Sequence, residues 1–138
     1  MKFQYSDGGR SRYFNGITGD CVTRSFANGL GKDYLEVYSL INELCCREKN
    51  KIERIRGKNN SNSFIIENGN AMDGLFPATI KKLGRYFNLN FVKKKGKTNR
   101  LRGNYIVLQY GHLTCVRGGF LLDTHDCSGD DYYGYFKL

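Results

Sequence analysis

The hydrophobic period changes once along this chain, and the change limits the folds open to it. Between residues 20 and 88 apolar side chains recur at helical spacing; beyond them they fall in short β-branched and aromatic runs. Val22, Phe26, Gly29 and Leu30 predict a helix over about 20–28. Asp20 is placed to cap it by accepting from free backbone N–H groups, and Gly29 and Gly31 to end it. Tyr34, Val37, Tyr38, Ile41 and Leu44 predict a second helix over about 33–46, opened by Asp33 and Glu36 as an acidic capping box. Phe76, Ile80, Leu83 and Phe87 predict a third over about 76–88, with Pro77 in its first turn.

Strands follow. Phe91 and Val92 start one, and Lys93-Lys94-Lys95-Gly96-Lys97 reads as a basic turn after it. Residues 105–109, 112–116, 120–124 and 132–136 are further strands, the middle two joined across Arg117-Gly118-Gly119 as a hairpin. Helices first and then a mainly antiparallel sheet predict an α+β fold. Residues 1–19 are polar and rich in Gly and Tyr, a short strand or loop leading into the first helix. Residues 47–72, with six Lys or Arg between Arg47 and Lys58 and then Asn59-Asn60-Ser61-Asn62-Ser63, read as a polar, mobile excursion inside one domain spanning 1–138.

A length of 138 residues suits one domain. Lys and Arg number 22 against 13 acidic residues, a net charge of +9 that favours an acidic partner, whether nucleic acid, an anionic surface or an acidic protein. Five cysteines cannot all pair, the N-terminus lacks an apolar stretch of signal-peptide length, and no run approaches the roughly 18 apolar residues of a membrane span. Reduced cysteines, a cytoplasmic location and no membrane partner are therefore expected. No cofactor is expected.

Cys21 follows the N-cap position of the first predicted helix, where the positive end of the helix dipole favours a thiolate and outward-pointing N–H groups can bind an oxyanion. A buried cysteine is also an ordinary small hydrophobe, so His112 matters. If Arg117-Gly118 forms the hairpin turn, His112 pairs with Asp123; if Gly118-Gly119 forms it, His112 pairs with His125 and Asp123 is its diagonal neighbour. Both registers put His112 and Asp123 on one face, because side chains alternate with period two. A helix-start Cys, a His and a carboxylate that orients it make a nucleophilic triad.

These residues carry a resemblance. Gly19-Asp20-Cys21-Val22-Thr23-Arg24-Ser25-Phe26-Ala27, followed by Gly31-Lys32-Asp33-Tyr34-Leu35-Glu36-Val37-Tyr38, resembles the opening of small papain-like cysteine peptidase domains of the phage type. The stretches 103–107, 111–116 and 119–124 look like the His-bearing hairpin of the same family, and the Asp20-Cys21 pair resembles the active-site segment of the leader peptidases of bacteriocin exporters. The resemblance implies a papain-like fold with Cys21 as nucleophile, His112 as general base and acid, and Asp123 as orienting residue. It implies a thiol hydrolase or acyl-transferase acting on a peptide or side-chain amide in a phage host's cytoplasm. Such enzymes carry an oxyanion-donating Gln six residues before the Cys; here that position is Asn15, with the same amide on a shorter arm. His125 stands where the pattern has Trp, and Asp126 is the alternative third member.

Other constellations weigh less. His112-x-x-Cys115 with His125-x-Cys127 could suggest zinc, but His112 and Cys115 on a regular strand face opposite sides, so no metal is expected. Ser25 and Asn28 share the Cys21 face and either line a cleft or are solvated. The 132–136 aromatic run could stack on bases, and Lys93, Lys94, Lys95, Lys97, Arg100 and Arg102 could hold phosphates. On those grounds a non-enzymatic basic binding or inhibitor protein, directed at an acidic host protein or nucleic-acid machinery, is the alternative.

Overall fold

The computed structural model describes residues 1–16, 18–56, 69–71, 74, 75 and 77–138, with backbone alone at 47–56, 69, 70 and 74. Three α-helices are present among them: α1 (Cys21–Leu30), α2 (Tyr34–Arg56) and α3 (Pro77–Tyr86). The strands are β1 (Lys2–Tyr5), β2 (Gly69–Asn70), β3 (Gly74–Leu75), β4 (Phe91–Lys97), β5 (Tyr105–Gln109), β6 (His112–Arg117), β7 (Phe120–Asp123) and β8 (Asp131–Lys137). β2 and β3 pair with each other; the other six form one sheet in the order β1-β7-β6-β5-β8-β4. Its pairs are antiparallel except β1 with β7, which makes the sheet mixed. The fold is α+β, as the change of period requires. Among the described residues no helix is long and apolar enough to cross a membrane.

Alternation along the strands gives the sheet two apolar faces. Ile106, Leu108, Leu113 and Phe136 pack with Val22, Phe26, Val37, Ile41, Ile80 and Leu83 from the three helices. Val107, Val116, Leu121 and Tyr132 form a smaller cluster with Cys127. Burying each of the larger side chains contributes about 1.5–3 kcal/mol, so the helical stripes dock where the sequence pattern puts them. Phe87, the last residue of the third predicted stripe, packs on this core just past the end of α3.

Three expectations change. Asp20 does occupy the N-cap position of α1, but its side chain caps nothing; it is fully buried and bonded by charged and phenolic partners described below. Lys93, Lys94 and Lys95 are not a turn. They lie in β4, an edge strand whose pairing with β8 shifts register between Lys93 and Gly96; exposed lysines on an edge also discourage pairing with another chain. And α2 does not stop at Cys46 but continues to Arg56, so the first part of the expected 47–72 excursion is helical backbone. Of the rest of that expectation β2 and Ala71 are described, while residues 57–68, 72 and 73 lie outside the described residues, as does Phe76 of the third stripe.

Candidate active site

The hairpin between β6 and β7 decides the geometry. Gly118 and Gly119 have φ of 59° and 83°, the pair of positive values that a two-residue turn matching the sheet twist needs and that side-chain-bearing residues rarely adopt. With these two at the turn, Arg117 pairs with Phe120 and Cys115 with Leu122. This is the register that makes Asp123 the diagonal neighbour of His112. The two side chains meet: His112 Nε2 donates to Asp123 Oδ2 at 2.7 Å. The imidazoles of His112 and His125 stand with centroids 4.9 Å apart. Asp126 is exposed and accepts from the Ser128 N–H instead.

Asp123 is buried and held on both oxygens. Oδ1 accepts from the Thr124 N–H at 2.7 Å and lies 3.6 Å from Arg24 Nη2, while the Cys127 thiol donates to Oδ2 at 3.7 Å. Burial by itself opposes a charged carboxylate, but His112 and the Thr124 N–H outweigh it and lower the Asp123 pKa to about 2. Burial likewise opposes a charged His112; the bond with Asp123, and then the Cys127 and Cys21 thiols, raise its pKa to about 11. The imidazolium is thus the resting form of the pair.

Cys21 is the first residue of α1 and half-buried. α1 packs across β6, and Cys21 and His112 line one cleft of about 480 Å3. Apolar side chains of Val22, Leu75, Pro77 and Ile80 form part of its wall. Tyr133 also reaches it: the β5–β8 pairing skips from Gly134 to Tyr132, so Tyr133 is a bulge residue turned out of the regular alternation.

Beneath the cleft lies a buried charge cluster. Asp20 Oδ1 accepts from Arg24 Nη1 at 2.9 Å, and Oδ2 accepts from the Tyr34 hydroxyl at 2.5 Å with Arg10 Nη1 3.6 Å away. Arg10 also donates to the Tyr34 hydroxyl and to the Gly16 carbonyl, tying the loop before α1 to its N-terminus. Because Asp20 is engaged inward, its side chain leaves the first turn of α1 uncapped.

The remaining expected residues are placed as follows. Asn15 is exposed and is not among the described residues that line the cleft, where Thr18 and Gly19 stand nearer Cys21; its carbonyl accepts from Arg10 Nη2 at 3.4 Å. Ser25 is buried and Asn28 accepts from the Ser6 hydroxyl, so neither lines the cleft. From sequence Arg10, Arg24 and Gln109 have no role in the site, Tyr34 stands only in a buried helical stripe, and Cys127 enters only in the zinc pattern. The i,i+4 spacing of Asp20 and Arg24 was a usable signal for one of them; the others are joined to the site only by long-range contacts. Gln109, for instance, donates through Nε2 to Thr98 Oγ1 and to the Cys127 carbonyl, both at 2.9 Å.

No family model, no curated protein and no solved structure matches this chain.

Proposed function

We propose that the chain is a papain-like thiol hydrolase or acyl-transferase acting on a peptide or side-chain amide. The observation that carries this reading is the position of His112, bonded through Nε2 to Asp123 and sharing a cleft with the thiol at the N-terminus of α1. Asp123 on Nε2 leaves Nδ1 as the nitrogen that can serve a thiol. In this mechanism Cys21 Sγ attacks the carbonyl carbon as a thiolate paired with the His112 imidazolium. The tetrahedral oxyanion collapses, the C–N bond breaks, and His112 gives its proton to the leaving amine. Water then attacks the thioester with His112 as base, or a second amine takes the acyl group.

The oxyanion donors in this reading are the backbone N–H groups of the first turn of α1, which the Asp20 side chain leaves uncapped. Arg24 acts through Asp123 and is a positioning residue.

A second reading, a non-enzymatic basic protein on the same scaffold that engages an acidic host protein or nucleic-acid machinery, draws support from β4, where Lys93, Lys94 and Lys95 are exposed side by side. The two readings part in one experiment, labelling with a thiol-directed electrophile at neutral pH followed by mass spectrometry. The enzyme reading expects Cys21 to react well ahead of the buried Cys115 and Cys127, and His112→Ala to remove that lead. Burial pushes the Cys115 thiol up to about 12, so it is the inert internal reference. Equal, slow labelling of Cys21 in both proteins would leave only the binding reading.

A further inference from the structure

We propose that His112, His125 and Cys127 form a site for a divalent transition metal of the zinc class, and that a bound metal takes His112 away from Asp123. Each of the three offers a donor atom, and these atoms lie within 4.8 Å of one another. Zinc binds imidazole nitrogen at about 2.0–2.1 Å and thiolate at about 2.3 Å, which puts the tetrahedral donors of two imidazoles and one thiolate roughly 3.3–3.6 Å apart. A closure on the order of 1 Å is within reach of His125, an exposed side chain just past the end of β7. His112 must exchange Asp123 for the metal, whereas the Cys127 donor is held in place. Cys127 is buried, its carbonyl is bonded by Gln109, and the Asp126 carboxylate closes the loop onto the Ser128 N–H. Two imidazoles and a thiolate suit zinc, cobalt or nickel and reject magnesium and calcium, which require oxygen.

The set differs from the one the sequence spacing suggests. Cys115 is fully buried on the opposite face of β6 and takes no part. His112 Nε2 and Cys127 Sγ both meet Asp123 Oδ2, so Nε2 is the nitrogen on the thiol side. A metal there competes with Asp123 for the same nitrogen. Three protein donors leave a fourth position for water.

The site itself stands apart from the hydrolase reading; only its effect on Cys21 rests on that reading. The test is a titration of the metal-free, reduced full chain with Co2+, followed by displacement with Zn2+. One equivalent should bind with a thiolate-to-cobalt charge-transfer band in the near ultraviolet. His125→Asn, at an exposed position outside the thiol chemistry, should weaken binding at least about tenfold. Cys127→Ser should lose the band, and a Cys45→Ser/Cys46→Ser double variant should keep it. Unchanged affinity in His125→Asn overturns the site even if Cys127→Ser does not fold. A band that survives in Cys127→Ser, or vanishes in the double variant, overturns it as well. Zn2+ should also slow alkylation of Cys21 in the wild type but not in His125→Asn. If metal binds and that rate is unchanged in a protein whose His112→Ala variant labels slowly, the competition for His112 is wrong while the hydrolase reading stands.

Discussion

Arg24 Nη2 lies 3.6 Å from Asp123 Oδ1, on the carboxylate whose other oxygen takes the His112 imidazole. The same guanidinium donates through Nη1 to Asp20 at 2.9 Å. One helix residue thus balances two buried carboxylates, one beneath the helix start and one in the hairpin.

Arg24→Met keeps much of the volume and removes the charge. It strands Asp20 and Asp123 with less compensation, and breaking a buried pair in this way costs about 3–5 kcal/mol. Urea unfolding of the variant should show a loss of that order with an unchanged m-value. A loss below about 1 kcal/mol, the range of exposed pairs, would mean the cluster is solvated.

The metal-free protein should carry the His112–Asp123 pair at full strength only inside a pH window. The Asp123 pKa is lowered from 3.8 to about 2, so its contribution is complete above 3.8 and lost as pH falls through 2. The His112 pKa is raised from 6.5 to about 11, so its contribution is complete below 6.5 and lost as pH rises toward 11. The window therefore runs from about pH 4 to pH 6.5. Within it Asp123→Asn should be less stable than wild type by about 2 kcal/mol, the size of a shift of nearly two pH units. Unfolding free energies measured across pH should converge below the window. A constant gap down to pH 2 would remove the ion pair as its source.

If the first turn of α1 supplies the oxyanion donors, Asn15→Ala should retain most turnover on any substrate the wild type cleaves. Losing a true oxyanion donor costs about 10²–10³ in turnover. A drop of that size with stability intact would return Asn15 to the role its spacing from Cys21 suggests.

Gly84 of α3 has no room for a side chain, since a Cβ there would run directly onto the Phe136 ring. Alanine would gain about 1 kcal/mol in helix propensity. Overpacking a filled core costs about 1–3 kcal/mol, so Gly84→Ala should lower the melting temperature. A rise would show that Phe136 can move aside.

The helices and the pairing of His112 with Asp123 are legible in the sequence because each rests on a local repeat. Val22, Phe26, Ile80 and Leu83 fall on buried stripes, since a 3.6-residue period leaves them little choice once they must leave water. His112 and Asp123 share a face in either hairpin register, for the same reason applied to a period of two. The two edge strands are only partly legible: Phe91 and Val92 do start β4, but its course through Lys93–Lys97 and the length of β1 are not marked by any pattern. All four residues of β1 are exposed, and most of β4 is. Their places in the sheet come from backbone hydrogen bonds to β7 and β8, which any side-chain pattern can make.

Burial of charge is the other thing only the tertiary structure decides. At the level of sequence Asp20 is a good helix cap, with free N–H groups just ahead of it. In the folded chain Arg10, Arg24 and Tyr34 converge on its carboxylate from three segments. A carboxylate that loses its water is held more strongly by two guanidinium groups and a phenol than by the weak dipoles of a helix end. Cys127 reaches the Asp123 carboxylate by a similar convergence: the loop after β7 folds back and is pinned to β5 by Gln109. The sequence by itself determined which residues face one another along an element. Which elements would bring Cys21, His112 and that loop to one cleft depended on the packing of α1 across β6, a contact between segments too far apart for any local period to encode.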